Sequence, residues 1–356
     1  MGTVTPPVHG GVDATELRGL GLDPTDVLDF SASLNPLGPP PGALKALATV
    51  DPSRYPERWS DTLALAIAES EGTPRDRVFV GNGSSELLHL LARAYLRSGD
   101  RATVLGPTFG EFEAACQLAG ASPRHVVALE AQGYRWDISD ACLLVETEQP
   151  RLVYLCNPNN PTGVYLEEAD VRQLAEAVGD SGLLILDEAY RAFVDDPWES
   201  NPLLPLGNVV LLRSMTKDYA LAGLRLGFLL GPERTVECLR SFQPSWSVNA
   251  AAQAAGLAAL RDQPHLDRAR EAVREAKAYL AKALRDRGLE VVPSSANFLL
   301  VKVGDGAGVR KALLHQGVAV RDCASFGLPE HVRVGIRKLE DCRRLVEATR
   351  WVLGDG

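Results

Sequence analysis

The 356-residue sequence predicts an α/β protein, with a large domain built on a mainly parallel sheet and a smaller α+β domain at the C-terminus. Three observations lead to this prediction. Short apolar runs rich in β-branched residues alternate with segments of helical period up to about residue 240, which is typical of a parallel sheet covered by helices. The pattern changes after Trp246. The chain is also longer than one hydrophobic core usually supports.

The strands of the large domain are predicted where runs of four or five residues are mostly apolar. These runs are residues 77–80, 102–105, 126–129, 152–156, 183–187, 209–213 and 226–230. Helices are predicted where apolar residues recur every three or four positions. Such stretches are residues 85–96, 109–119 and 167–178. We therefore expect a large doubly wound domain over residues 41–245, and ligands of such folds gather at the carboxyl ends of the strands.

The two ends of the chain are expected to form the smaller domain. An N-terminal arm, residues 1–40, contains a strand at 27–30 and a proline-rich segment. Helices at 250–261 and 266–287 link this domain to the large one, and the small domain spans residues 246–356. Its remaining predicted elements are strands 298–302, 318–321 and 332–336 and helices 308–316 and 340–353.

Composition excludes several classes of protein. The net charge of −9 is spread along the chain, which disfavours binding to nucleic acid or to an anionic membrane. No uncharged apolar run approaches the roughly 20 residues that span a bilayer, and no secretory signal precedes the first helix. The six cysteines lack metal-ligand spacing. We expect a cytoplasmic protein with reduced thiols and no metal.

Lys217 is the first candidate for chemistry. It is the only lysine between Lys45 and Lys277 in a chain whose basic residues are mostly arginine. A primary amine can lose its proton and form an imine with an aldehyde, which a guanidinium cannot do. Ser214 and Thr216 precede Lys217 and Arg225 follows it, a set of groups that suits a phosphate. The alternative is a surface lysine at an ordinary strand end.

Three further features follow predicted strands. The turn at residues 81–86 contains Gly83, Ser84 and Ser85 and opens a helix, where backbone N–H groups can bind a phosphate; it is equally compatible with a structural turn. Asp187 ends a very apolar strand and can pair with a protonated heterocyclic nitrogen or cap a helix. Phe109 can stack on a planar ring or belong to the core.

Together these motifs resemble the class I/II aminotransferase family of fold-type-I pyridoxal-phosphate (PLP) enzymes. They occur in one order along the chain: Gly-Ser-Ser, Pro-Thr-Phe, Asn-Asn-Pro-Thr-Gly, Asp-Glu-Ala-Tyr, Ser-x-Thr-Lys, Gly-Leu-Arg-Leu-Gly and Arg-Val-Gly-Ile-Arg. The resemblance implies that Lys217 is the imine lysine, that Asp187 is the partner of the pyridine nitrogen and that Phe109 stacks on the ring. It also implies the remaining cofactor contacts: Asn160 and Tyr190 at the ring hydroxyl, and Gly83, Ser84, Ser85, Ser214, Thr216 and Arg225 at the phosphate.

The same resemblance implies a homodimer with shared active sites, in which Tyr55 reaches the neighbouring subunit. Within the family, the sequence is most similar to the threonine-phosphate decarboxylases of cobalamin synthesis and the histidinol-phosphate aminotransferases. Four segments favour the decarboxylase: residues 9–11, 28–38, 246–249 and 320–323. By that likeness a small phosphorylated amino acid is bound by four residues: His9, Asn35, Arg321 and Arg333.

Two departures from the decarboxylase pattern affect only the substrate. Val12 replaces an expected asparagine, and residues 191–193 differ from the usual sequence after Tyr190. The leading expectation is decarboxylation of threonine phosphate, and the alternative is transamination of histidinol phosphate or another amino acid with 2-oxoglutarate. A non-catalytic binding protein on the same fold is disfavoured because the lysine, aspartate and arginine are all present. A nicotinamide dehydrogenase is disfavoured because its glycine fingerprint is absent.

Overall fold

A seven-stranded sheet forms the centre of the larger part of the molecule in the computed structural model, which describes residues 7–353. The strands are β1 (Leu28–Asp29), β2 (Val78–Gly81), β3 (Arg101–Gly106), β4 (Ser122–Val127), β5 (Leu152–Cys156), β6 (Leu183–Asp187), β7 (Val209–Ser214), β8 (Gly227–Leu230), β9 (Glu290–Val291), β10 (Phe298–Lys302), β11 (Val318–Ala319), β12 (Arg321–Asp322) and β13 (His331–Gly335). The helices are α1 (Ala14–Gly19), α2 (Pro41–Leu47), α3 (Asp61–Glu71), α4 (Gly83–Tyr95), α5 (Glu111–Leu118), α6 (Ile138–Glu148), α7 (Glu168–Val178), α8 (Met215–Asp218), α9 (Glu233–Phe242), α10 (Ala250–Leu260), α11 (Gln263–Arg285), α12 (Gly306–His315) and α13 (Leu339–Leu353).

The large sheet is mainly parallel. Its order is β2-β8-β7-β6-β5-β3-β4, and only β8 runs antiparallel to its neighbours β2 and β7. β5 and β6 are buried along their whole length, as expected for parallel strands covered by helices on both faces. Helices α3, α6, α7 and α10 cover one face, and α4, α5 and α9 cover the other. The predicted fold class is confirmed.

Two predicted strands differ from the structure by more than a one-residue shift of an end. β4 begins at Ser122 and ends at Val127 instead of covering 126–129, because it is an edge strand that pairs only with β3 and most of its residues are partly or fully exposed. The predicted strand 318–321 is divided at Val320. Its first half, β11, pairs with β1, whereas its second half, β12, pairs with β13 in another sheet.

The C-terminal part is a second core. An antiparallel sheet of order β12-β13-β10-β9 packs against α11, α12 and α13, and β1 of the N-terminal arm pairs in parallel with β11 beside it. Helix α11 joins the two cores, since Leu266 packs under the large sheet and Val273 and Leu280 pack in the C-terminal core. The domain limits at residues 40 and 245 stay predictions.

The carboxyl ends of β5, β6 and β7 meet at one edge of the large sheet. Cys156 and Asp187 are directly paired there, and Ser214 ends the next strand. Ligand sites of open α/β sheets lie at this edge. No helix within residues 7–353 is long and apolar enough to cross a membrane.

Candidate active site

A cavity of about 650 Å³ opens at this edge of the sheet, a size that holds a cofactor with a small substrate. Elements from both cores line it, because the N-terminal arm and β13 face the ends of the large-sheet strands. The structure brings together most of the residues expected at the site: His9, Ser84, Ser85, Phe109, Asn160, Asp187, Tyr190, Ser214, Thr216, Lys217, Arg225 and Arg333. No cluster of metal-ligating side chains occurs in the part of the chain that is described.

Lys217 lies in α8, the single helical turn that follows β7. Burial and the nearby charges of Arg333 and Arg225 lower its pKa from 10.5 to about 8, because each of these effects disfavours the ammonium form. Its Nζ is 5.9 Å from the centre of the Tyr190 ring. An amine with this pKa is partly neutral near pH 7, and nucleophilic and base chemistry require the neutral form.

Asp187 provides a carboxylate in the wall of the same cavity as Lys217. Burial raises its pKa from 3.8 to about 6, against the opposing effect of the hydrogen bond from Tyr154. The Tyr154 hydroxyl donates to Asp187 Oδ2 at 2.8 Å, and the Ala189 N–H donates to Oδ1 at 3.0 Å. A buried carboxylate with few partners binds a cationic N–H strongly.

Hydroxyls and a guanidinium gather at one end of the cavity. Ser84 and Ser85 lie in the first turn of α4, whose N-terminal dipole favours an anion. A Cβ added to Gly83 would lie 2.8 Å from Arg225 Nη2, so only glycine lets the guanidinium approach this turn. Arg225 itself has a φ of 57°, a conformation that is rare for residues with a side chain and is often found at functional sites.

Arg333 supplies a second guanidinium to the cavity wall. Its Nη1 donates to Asn160 Oδ1 and its Nη2 donates to the Ser31 carbonyl at 2.7 Å. Its Nε is buried and has no hydrogen-bond partner within residues 7–353. The cavity therefore offers two cationic groups for anions, and the charges of both act on Lys217.

Four of the expected residues lie outside the cavity wall, and one of them, Gly83, lies directly beside Arg225. The Asn35 N–H donates to the Lys217 carbonyl at 3.0 Å, so Asn35 holds α8 from behind. Arg321 lines a neighbouring cavity of about 100 Å³ and donates to the Val8 carbonyl. Tyr55 is 81% exposed.

Two residues that the sequence analysis missed contribute to the site. Tyr154 is an interior residue of β5, and nothing in the sequence distinguishes it from a core aromatic residue. Glu111 begins α5 two residues after Phe109 and lines the cavity. The sequence offered only a carboxylate near the start of a predicted helix, a position that the helix dipole favours in any case.

These groups fit PLP. The Ser84, Ser85 and Arg225 end suits its phosphate, Lys217 is an amine of lowered pKa for its aldehyde, and the buried Asp187 suits its pyridinium nitrogen. Fold and site together define a pyridoxal-phosphate-dependent enzyme.

Comparison with known proteins identifies the family. The aminotransferase class I and II model matches residues 25–348. The histidinol-phosphate aminotransferase of Symbiobacterium thermophilum is 42% identical over 95% of this chain and 93% of its own length; that of Akkermansia muciniphila is 35% identical over 94% and 93%. The structure of the Sinorhizobium meliloti histidinol-phosphate aminotransferase with pyridoxal-5'-phosphate superposes with a TM-score of 0.88 at 25% identity, covering 96% of this chain and 95% of that one. The chain belongs to the aminotransferase class I and II family.

The family, the fold type, the enzyme class and the cofactor are thus as the sequence predicted. The leading expectation for the substrate is not supported. The relatives named above are histidinol-phosphate aminotransferases, and none of them is a threonine-phosphate decarboxylase. These comparisons favour the alternative, transamination. The roles of the individual site residues stay predictions.

Proposed function

We propose that this protein is an aminotransferase that moves the amino group of histidinol phosphate, by way of the cofactor, to 2-oxoglutarate, which becomes glutamate. The observation that carries the proposal is the presence of Arg333 in the same cavity as Arg225 and Lys217. With the phosphate of PLP at Arg225, Arg333 stays available for a second anion. Histidinol phosphate brings a phosphate and glutamate brings a carboxylate, so one guanidinium can serve both substrates in turn.

The proposed residue roles follow from these positions. When bound, PLP supplies a ring that withdraws electrons from the carbon bearing the substrate's amino group. Asp187 keeps the pyridine nitrogen protonated, and Phe109 covers one ring face. Contacts to the ring hydroxyl come from Asn160 and Tyr190. The phosphate is bound by Gly83, Ser84, Ser85, Ser214, Thr216 and Arg225.

Lys217 then moves the proton. Its pKa of about 8 leaves a useful fraction of neutral amine near neutral pH, so Nζ can accept the proton from the substrate carbon and return it later. Arg333 holds the substrate anion so that this C–H bond, rather than the bond to another substituent, faces Lys217. His9 lines the substrate side of the cavity, and Arg321 supports it through the Val8 carbonyl.

We also propose a homodimer with shared active sites. Tyr55 is 81% exposed and stacks on Trp246, itself 44% exposed, with ring centres 4.6 Å apart. The Arg58 guanidinium lies 6.0 Å from the Trp246 ring. An exposed cluster of aromatic residues and arginine is characteristic of the buried centre of an interface, and it supports the expectation that Tyr55 reaches the active site of a second copy.

A product assay tests the reaction. The PLP-loaded protein is incubated with histidinol phosphate and 2-oxoglutarate, and glutamate formation is followed. The same protein is incubated with O-phosphothreonine, and carbon dioxide is measured. We expect glutamate formation that requires 2-oxoglutarate. Carbon dioxide release that does not require a keto acid, without glutamate formation, would overturn the proposal.

A further inference from the structure

Glu111 forms an unusual contact in the wall of the cavity. Glu111 is 8% exposed and lies at the start of α5. Its two carboxylate oxygens each face one imidazole: Oε1 is 2.8 Å from His9 Nε2, and Oε2 is 2.9 Å from His89 Nε2. These hydrogen bonds lower the pKa of Glu111 from 4.5 to about 2, so the carboxylate is ionised at neutral pH.

The ionised carboxylate fixes the direction of both hydrogen bonds. It can only accept, so the Nε2 atom of each histidine must carry the hydrogen and donate. Glu111 is therefore a receptor for imidazole N–H groups, and one of its two oxygens faces the cavity that also contains Lys217.

The two histidines have similarly exposed side chains, 40% for His89 and 47% for His9, but their backbones belong to different kinds of segment. His89 belongs to α4, a helix of 13 residues packed on the large sheet. His9 precedes α1 in the N-terminal arm, and its side chain is 47% exposed. It lies against Phe109, with ring centres 5.6 Å apart at an angle of 52°. His89 is thus a fixed partner of Glu111, whereas His9 can leave without disturbing a packed helix.

We propose that Glu111 binds the imidazole ring of the amino-donor substrate, which takes the place of His9 on Oε1. This inference rests on the proposed function, since histidinol phosphate is the substrate that carries such a ring. The exchange conserves the number of hydrogen bonds, because an imidazole has at least one N–H in either protonation state. Phe109 borders the same space and provides an apolar surface for the incoming ring.

The exchange also accounts for the second substrate. Glutamate and 2-oxoglutarate carry a carboxylate where histidinol phosphate carries its ring, and a bare Glu111 would repel that group. With these substrates His9 keeps its place and covers the Glu111 charge. One arm residue thus lets a single cavity accept an imidazole and a carboxylate alternately.

The reaction with histidinol phosphate and the reaction with glutamate can be measured separately. This distinguishes binding of the imidazole by Glu111 from a structural role that would affect both substrates. The PLP-loaded Glu111→Gln variant is mixed with histidinol phosphate or with glutamate in single turnovers, and the change in cofactor absorbance gives an apparent dissociation constant for each. A charge-assisted hydrogen bond is lost only with the first substrate, so we expect its constant to rise about 10- to 100-fold. The constant for glutamate should change by no more than about threefold. Glu113→Gln is the matched control, because Glu113 is on the same helix and its carboxylate faces His125.

Two results would overturn the inference. If Glu111→Gln weakened the binding of both substrates equally, Glu111 would only support the fold of the cavity. The second result would be that His9→Ala weakens the binding of histidinol phosphate as much as Glu111→Gln does, because Glu111 would then act through His9. Direct binding instead predicts a lower dissociation constant in His9→Ala, since the competing imidazole is gone.

A ligand without the reacting groups separates this inference from the proposed function. Binding of 4-methylimidazole to the PLP-loaded protein is followed by NMR line broadening. If the wild-type protein does not react with histidinol phosphate, the proposed function fails. Loss of 4-methylimidazole binding in Glu111→Gln, with retention in Glu113→Gln, would still support the imidazole site. Equal binding by wild type and Glu111→Gln would refute it.

Discussion

Replacing Tyr154 by phenylalanine should weaken PLP binding, although Tyr154 does not line the cavity. The side chain is fully buried in β5 and its hydroxyl donates to Asp187 Oδ2 at 2.8 Å. This hydrogen bond stabilises the ionised form of Asp187 and opposes the effect of burial on its pKa. Phenylalanine keeps the ring that stacks on Phe112, with centres 5.0 Å apart, so the packing is retained.

The size of the effect follows from the charge on the acceptor. A hydrogen bond to an ionised group contributes about 1.5 to 3 kcal/mol. Because one pH unit corresponds to about 1.4 kcal/mol, its loss should raise the pKa of Asp187 by about one to two pH units. That pKa is already about 6, so much of Asp187 would be neutral at pH 7. A neutral carboxyl holds the pyridinium nitrogen weakly, and the smaller ionised fraction of Asp187 should lower PLP affinity about two- to tenfold at pH 7.

Two measurements check this prediction. Carboxyl NMR of the PLP-free protein gives the pKa of Asp187, and cofactor titration gives the PLP dissociation constant against pH. The acid limb of PLP affinity should move to higher pH, because Asp187 must be ionised to bind the pyridinium. Tyr165→Phe is the matched control, since the Tyr165 hydroxyl is buried without a hydrogen-bond partner in residues 7–353. Identical PLP affinities in the two variants would refute the reasoning.

Three further outcomes are expected. Lys217→Ala should abolish turnover and the absorbance of lysine-bound PLP, with unchanged circular dichroism. Asp187→Asn should stabilise the PLP-free protein by about 3 kcal/mol above pH 6 in urea unfolding, from the rise of its pKa from 3.8 to about 6. Arg213→Met should cost about 3 kcal/mol in the same assay, because it removes the cation beside partly buried Glu71 and leaves buried Glu188 with Arg191 at 3.4 Å as its remaining cation.

The sign of the Asp187 prediction comes from proton linkage. The folded protein binds the Asp187 proton more tightly than the unfolded chain does, so stability is greatest below pH 3.8 and is lost as the pH rises to about 6. Asparagine has no charge to bury, so the variant does not lose stability as the pH rises. Equal stability of wild type and Asp187→Asn at pH 7.5 would contradict the prediction. Arg172→Met, which breaks the exposed pair with Glu168, is the control for Arg213→Met and should cost less than about 1 kcal/mol.

Tertiary pairing, rather than local sequence, set the limits of several elements. β5 and β6 are continuous apolar runs because helices cover both their faces, so the sequence located them well. β4 is an edge strand, so its polar first residues did not resemble a strand. The break at Val320 depends on two different pairing partners, which no local pattern records.

By itself the sequence determined the class of enzyme. Lys217, Asp187 and Arg225 are residue types whose chemistry is specific, and each lies at or near the end of a strand that could be recognised from its apolar run. Only the tertiary structure decided what surrounds them. The pKa of Lys217 depends on burial and on Arg333, which is more than a hundred residues away in the chain. The pairing of Glu111 with His9 and His89 likewise joins distant segments. Electrostatic and hydrogen-bond energies depend on distances in space, and these exist only once the chain has folded.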